Sequence, residues 1–198
     1  MNQISPFSEP ENRRQICHKI FLAVKPPRSV AEKIGETALG LKKWYQLPGK
    51  LRPIELLHVT ICEIGDFLEL DEKIVALARQ AGEAVAAGIP SFDFEVNQAV
   101  CFGHGARNVP FVLARKERCE PMDLLYQKTF LQLRAQGLQI RKRSFNPHVT
   151  VSYTHGRIPT ESIDRLGWQV EELVLIDSHV GLTKYTELGR WKLGAQEA

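Results

Sequence analysis

His58-Val59-Thr60-Ile61 returns almost unchanged as His148-Val149-Thr150-Val151, 90 residues further along the chain. Side chains alternate along a strand, so in each copy the histidine and the threonine share one face while the aliphatic pair takes the other. Continued on the same parity, Cys62 extends the first polar row and Ser152 the second. Either copy alone reads more readily as a satisfied, partly buried structural histidine than as a catalyst. Core packing gives no reason to repeat a polar face, however, and the repetition points to two like strands meeting at one site.

Working outward from the motifs, Lys19 to Val24 reads as a short buried strand closed by Pro26 and Pro27. Ser29 and Glu32 have the spacing of a capping box at the head of a helix carrying Ile34, Ala38 and Leu41. Leu56 to Ile64 is expected as a strand, and Leu70 to Ala87 as a helix stopped by Gly88. Phe92 to Phe102 and Val109 to Arg115 follow as strands joined through Gly103-His104-Gly105. Pro121 opens a third helix running to about Gln136. The strand His148 to Tyr153 and a tail with strands at Val170 to Val180 and Arg190 to Leu193 complete the chain. Each half supplies a motif strand ending in a glycine, Gly65 or Gly156, flanking strands and a helix. The expectation is an α+β fold, diverged by internal duplication into two lobes, with antiparallel sheets facing a central cleft and helices on the outer faces.

With 198 residues, 43% hydrophobic and 25% charged, the chain can bury a substantial core as one two-lobed domain over residues 16–198. The polar stretch over residues 1–15 carries Pro6 and Pro10, lacks the apolar run of a signal peptide, and is expected to be a disordered leader. The four cysteines form no Cys-x-x-Cys pair, which favours a reducing, cytoplasmic location. No stretch is apolar enough to span a bilayer, and no obligate protein partner is implied. A net charge of +3 is too mild to mark a general nucleic-acid coat. Arg134, Arg141, Lys142 and Arg143 nevertheless gather before the second motif, either as a solvated helix end and loop or as a field that attracts phosphate.

Two imidazoles and two hydroxyls at one cleft suit in-line hydrolysis of a phosphodiester. One histidine deprotonates an attacking water and the other protonates the leaving oxygen, both near neutrality. The threonine hydroxyls hold the non-bridging oxygens. No metal or other cofactor is required by this chemistry.

The blocks Lys19 to Val24, Pro53-Ile54-Glu55-Leu56-Leu57-His58-Val59-Thr60, Arg143-Ser144-Phe145-Asn146-Pro147-His148-Val149-Thr150 and the closing strands near Leu173 to Leu193 resemble the 2H phosphoesterase superfamily. More narrowly, they resemble its RNA 2',3'-cyclic phosphodiesterase, or 2'-5' RNA ligase, family. The resemblance covers about residues 18 to 193, and its specific part is the spaced pair of His-x-Thr motifs. It implies a two-lobed fold with a pseudo-twofold axis and opening of a 2',3'-cyclic phosphate, on RNA ends or nucleotides, to a 2'-phosphate. Some members join or split 2'-5' linkages. His58 would be the general acid on the 3' oxygen, His148 the general base on water, and Thr60 and Thr150 the phosphate ligands. The chain departs from the pattern at Cys62 and Glu63, where a lysine and an aromatic are common, and at Tyr153, where an arginine is common. Arg143 could supply the missing charge, and Tyr153 or Phe145 a base-stacking face or part of the core.

His104 could reach the cleft from its glycine-flanked turn, with Arg107 beside it, or simply lie on the surface. His155 with His148 and Cys62 would be the set for a zinc-dependent hydrolase, a rival reading whose spacings match no established ligand pattern. A non-catalytic module holding phosphorylated RNA ends is the other rival.

Overall fold

The computed structural model describes residues 17–103 and 108–194, so the expected leader, His104 and Arg107 lie outside the described residues. Among the described residues, eight strands and three α-helices follow one another as β1 (His18–Val24), α1 (Arg28–Trp44), β2 (Val59–Phe67), α2 (Glu72–Ala87), β3 (Phe92–Cys101), β4 (Val109–Ala114), α3 (Glu120–Ala135), β5 (His148–Thr154), β6 (Glu161–Val170), β7 (Glu172–His179) and β8 (Lys184–Lys192). The fold is α+β.

Local chemistry accounts for most boundaries. Asp71 caps α2 by accepting from the Lys73 and Ile74 amides, and Gly88 ends that helix. Pro121 sits in the first turn of α3. The expected capping box at Ser29 does not form. Pro27 occupies the cap position of α1, its carbonyl accepts from the Val30 and Ala31 amides, and Glu32 pairs with Arg28 instead. The strand expected from Leu56 starts later, because Ile54–Leu56 winds into a 3-10 turn behind Pro53. β6 is an addition to the expected elements. Its charged and glycine-containing sequence belongs to a sheet edge, where such residues discourage pairing with other chains.

All eight strands pair antiparallel in the order β6-β3-β4-β5-β2-β1-β7-β8. The expectation of separate sheets facing each other is therefore corrected. The two motif strands lie side by side and are joined by the pair Val59↔Val149, which closes one continuous sheet. Its order is symmetric about that junction, with β1 flanking β2 as β4 flanks β5. One apolar core joins Ile20, Leu22 and Val24 of β1, Phe111 and Leu113 of β4, and the inward faces of all three helices. The helices thus cover one face of the sheet, and the other face carries the cleft.

Candidate active site

The cleft has a volume of about 1030 Å³ and is lined by His58, Thr60, His148 and Thr150 together. The pair Val59↔Val149 brings the motifs into register, so each valine packs into the core while its neighbours face the cavity.

Both histidines are held in the same way. The Nδ1–H of His58 donates to the Leu56 carbonyl at 2.8 Å, and that of His148 donates to the Asn146 carbonyl at 2.6 Å, each partner two residues back. With Nδ1 committed as a donor, the neutral ring keeps its lone pair on Nε2. His58 stacks on Phe21 at 4.9 Å and meets the edge of Tyr185 at 5.5 Å, while His148 meets Phe102 edge-on at 4.8 Å. Burial pushes the His58 pKa down to about 4; the Leu56 carbonyl opposes this, and the charges of Arg52, His148 and Lys25 add to it. Burial likewise lowers His148, against the pull of the Asn146 carbonyl. Near neutral pH both imidazoles are therefore uncharged bases.

Beyond the threonines, strict alternation fails in both strands at the same motif position. Thr60 pairs with Ala23 and Cys62 with Leu22, leaving Ile61 as an extra residue; Thr150 pairs with Val112 and Ser152 with Phe111, leaving Val151 extra. Each is a β-bulge, and each reverses the faces that follow. Cys62 and Ser152, expected to continue the polar rows, are buried instead. Burial, reinforced by Glu63, pushes the Cys62 thiol up to about 12, so it is neither a nucleophile nor a ready ligand. Ser152 donates to the Lys50 carbonyl at 2.9 Å. The bulges bring the Glu63 and Tyr153 side chains to the cleft, where Cys62 keeps only a buried place in the wall.

Arg143 lines the cleft, but its guanidinium pairs with Glu63 at 2.7 Å and so is not the free cation the sequence suggested. Phe145 lies in the lining and stacks on Tyr126 at 4.6 Å with nearly parallel rings, and the Tyr126 hydroxyl donates to the Arg143 carbonyl. Tyr153 is about half exposed, which excludes the alternative that it is core. Arg141 also reaches the lining. His155 is exposed, and no metal-ligating group forms from His148, Cys62 and His155 among the described residues. The set that does cluster there is His18, Asp177 and His179, with His18 Nδ1 bonded to the buried Asp177 carboxylate at 2.8 Å. Sequence reasoning missed Arg52, Phe21 and Tyr185. No periodicity marks Arg52, which precedes the 3-10 turn, and Tyr185 comes from the distant strand β8.

A family model described as the 2'-5' RNA ligase superfamily matches residues 26–182. No curated protein matches the chain. Among solved structures, TT0787 of Thermus thermophilus superposes with a TM-score of 0.72 at 20% identity, over 90% of this chain and 100% of that one. E. coli LigT in its apo form gives a TM-score of 0.67 at 22% identity, over 91% of this chain and 100% of LigT. LigT complexed with 3'-AMP gives 0.66 at the same identity and coverage. At these identities the likeness speaks for the fold.

Proposed function

The chain belongs to the 2'-5' RNA ligase superfamily, and from that premise we propose that it hydrolyses 2',3'-cyclic phosphates, on RNA ends or nucleotides, to 2'-phosphates by two-histidine general acid-base catalysis. The observation that carries the reading is the paired geometry: two imidazoles, each pinned through Nδ1 to the carbonyl two residues back, sit with two threonines in one cleft. That LigT is complexed with 3'-AMP supports a nucleotide ligand for this cleft as well. The symmetric strand order supports the duplicated, two-lobed reading of the fold.

In this mechanism Thr60 and Thr150 donate to the non-bridging oxygens. His148 Nε2 takes a proton from water as its oxygen attacks phosphorus in line with the bond to the 3' oxygen. That bond breaks, and His58 gives its Nε2 proton to the departing oxygen, leaving a 2'-phosphate and a 3'-hydroxyl. The bound phosphate anion raises the His58 pKa above its value in the free protein and so helps to load that proton. A 5'-hydroxyl in place of water would give a 2'-5' linkage, so ligation is the second activity to assay.

The test is turnover of a nucleoside 2',3'-cyclic phosphate with chelator present. His58→Ala and His148→Ala should each lower kcat by about 10²- to 10⁴-fold, whereas Thr60→Ala and Thr150→Ala should cost about tenfold each, one hydrogen bond to a charged group apiece. Full activity in both histidine variants would overturn the mechanism. Tight binding without turnover would favour an RNA-end-binding module, and chelator-sensitive turnover a zinc hydrolase.

A further inference from the structure

Arg52 is positioned by backbone contacts to the second motif strand and by side-chain contacts to Tyr153 of that strand and Tyr185 of β8. Its amide donates to the Val151 carbonyl at 2.8 Å, Leu51 bridges to Ser152, and Ser152 holds the Lys50 carbonyl. Residues 50–52 are thereby strapped to β5 at the bulge. From that strap the side chain extends between two rings, with Cζ 5.9 Å from the centre of Tyr153 and 5.8 Å from the centre of Tyr185. Nη2 donates to the Tyr185 hydroxyl at 2.5 Å, and the ring of Tyr185 in turn meets His58. The guanidinium therefore stands one ring away from a histidine of the site, and its charge is one of those that depress the His58 pKa.

Its donors are mostly unspent. A guanidinium offers five N–H groups in a planar fork, yet the buried Nε finds no acceptor and, among the described residues, no carboxylate lies in salt-bridge range. The contrast with two other cleft cations is direct: Arg143 is paired with Glu63 and Lys19 with Asp66. A half-buried cation flanked by two aromatic rings, with an orphaned Nε, in the cleft that also holds the two histidines, lacks an acceptor that is anionic and presents more than one oxygen. Phosphate meets that description and matches the fork.

We propose that Arg52, clamped between Tyr153 and Tyr185, is a phosphate-binding residue of this cleft. The proposal rests on the phosphoester reading of the site and specifies where its cation comes from. The flanking rings and the hydrogen bond to Tyr185 hold the guanidinium in the cleft before the ligand arrives, so less side-chain entropy is lost on binding. Arg52 is accordingly a binding residue, and proton transfer stays with His58 and His148.

Calorimetric titration with inorganic phosphate tests this without requiring turnover. Arg52→Gln should weaken phosphate binding by about 10- to 100-fold, the loss of charge-assisted hydrogen bonds, and Arg52→Lys should recover part of it by restoring the charge without the fork. Phosphate affinity equal to wild type in Arg52→Gln, or no measurable phosphate binding by the wild type, overturns the inference. Two substrates then identify which phosphate is held. An equal fall in kcat/KM for Arg52→Gln on a nucleoside 2',3'-cyclic phosphate and on a dinucleotide ending in one assigns Arg52 to the scissile group. A fall confined to the dinucleotide assigns it to the flanking phosphate. If the wild type turns over neither substrate but Arg52→Gln still loses phosphate, the proposed function falls and the phosphate site stands.

Discussion

An imidazole whose Nδ1 is tied to the carbonyl two residues behind it can present only Nε2 to a ligand, and here two histidines are tied identically. Their residue types and spacing are visible in the sequence because strand parity pairs each histidine with a threonine. Arg52 is not visible in that way, since its place depends on a strap to β5 and on Tyr185 from the far end of the chain. The protonation states make a prediction that does not depend on which histidine is acid and which is base. One must be protonated and the other neutral, so the active fraction peaks midway between the two free-enzyme pKa values. His58 lies at about 4, and His148 is below its ordinary value of 6.5. The kcat/KM profile should therefore be a bell with its optimum below pH 6.5. The kcat profile should lie at higher pH, because a bound phosphate anion favours both protonated imidazoles. A kcat/KM optimum at neutral or alkaline pH would show that the cleft does not depress the pair as argued.

At the scale of elements, the sequence conveys periodicity better than its interruptions. The motif strands were legible from alternation, but the extra residues Ile61 and Val151 carry no signal, being ordinary β-branched strand residues. A bulge is a fact about the partner strand's register, and it decided that Glu63 and Tyr153 present exposed side chains at the cleft, while Cys62 is buried in its wall and Ser152 is withdrawn from it. The strap that seats Arg52 turns on Gly49, whose φ is +90° and at which a Cβ would fall 2.3 Å from the Tyr153 carbonyl oxygen. Both the left-handed backbone and the close approach require glycine. Gly49→Ala must push residues 49–52 off β5, at an expected cost of about 1–3 kcal/mol. A thermal melt should show Tm lower by several degrees, with phosphate affinity falling as Arg52 loses its seat between the rings. An alanine variant with unchanged Tm and phosphate binding would mean that the strap does not position the cation.

For the whole molecule, the repeated motif foretold a symmetric arrangement, but alternation specifies faces and not neighbours, so facing sheets and one continuous sheet were equally compatible with it. The two halves share one backbone pair within the named strands at the centre, Val59↔Val149, which by itself would hold them weakly. The helices hold them far more strongly. α1 connects β1 to β2 in the chain yet packs on β5 and β6, and α3 connects β4 to β5 yet packs against β2 and α2. Each half therefore covers its core with a helix from the other, and the buried cluster runs unbroken through both. Such a molecule should unfold as one cooperative unit. Two tryptophans report on opposite edges: Trp168 in β6 meets Phe94 edge-on at 5.0 Å, and Trp191 in β8 lies against Gly82 of α2. In each of two variants, one retaining only Trp168 and the other only Trp191, urea unfolding followed by fluorescence should coincide in midpoint and slope with unfolding of that same variant followed by circular dichroism. Phe94→Ala, which empties a fully buried site, should cost about 3–5 kcal/mol and should move the transition reported by Trp191 as far as that reported by Trp168. Separate midpoints, or a shift seen by Trp168 alone, would show that the halves melt independently and that the crossed helices do not join their stability.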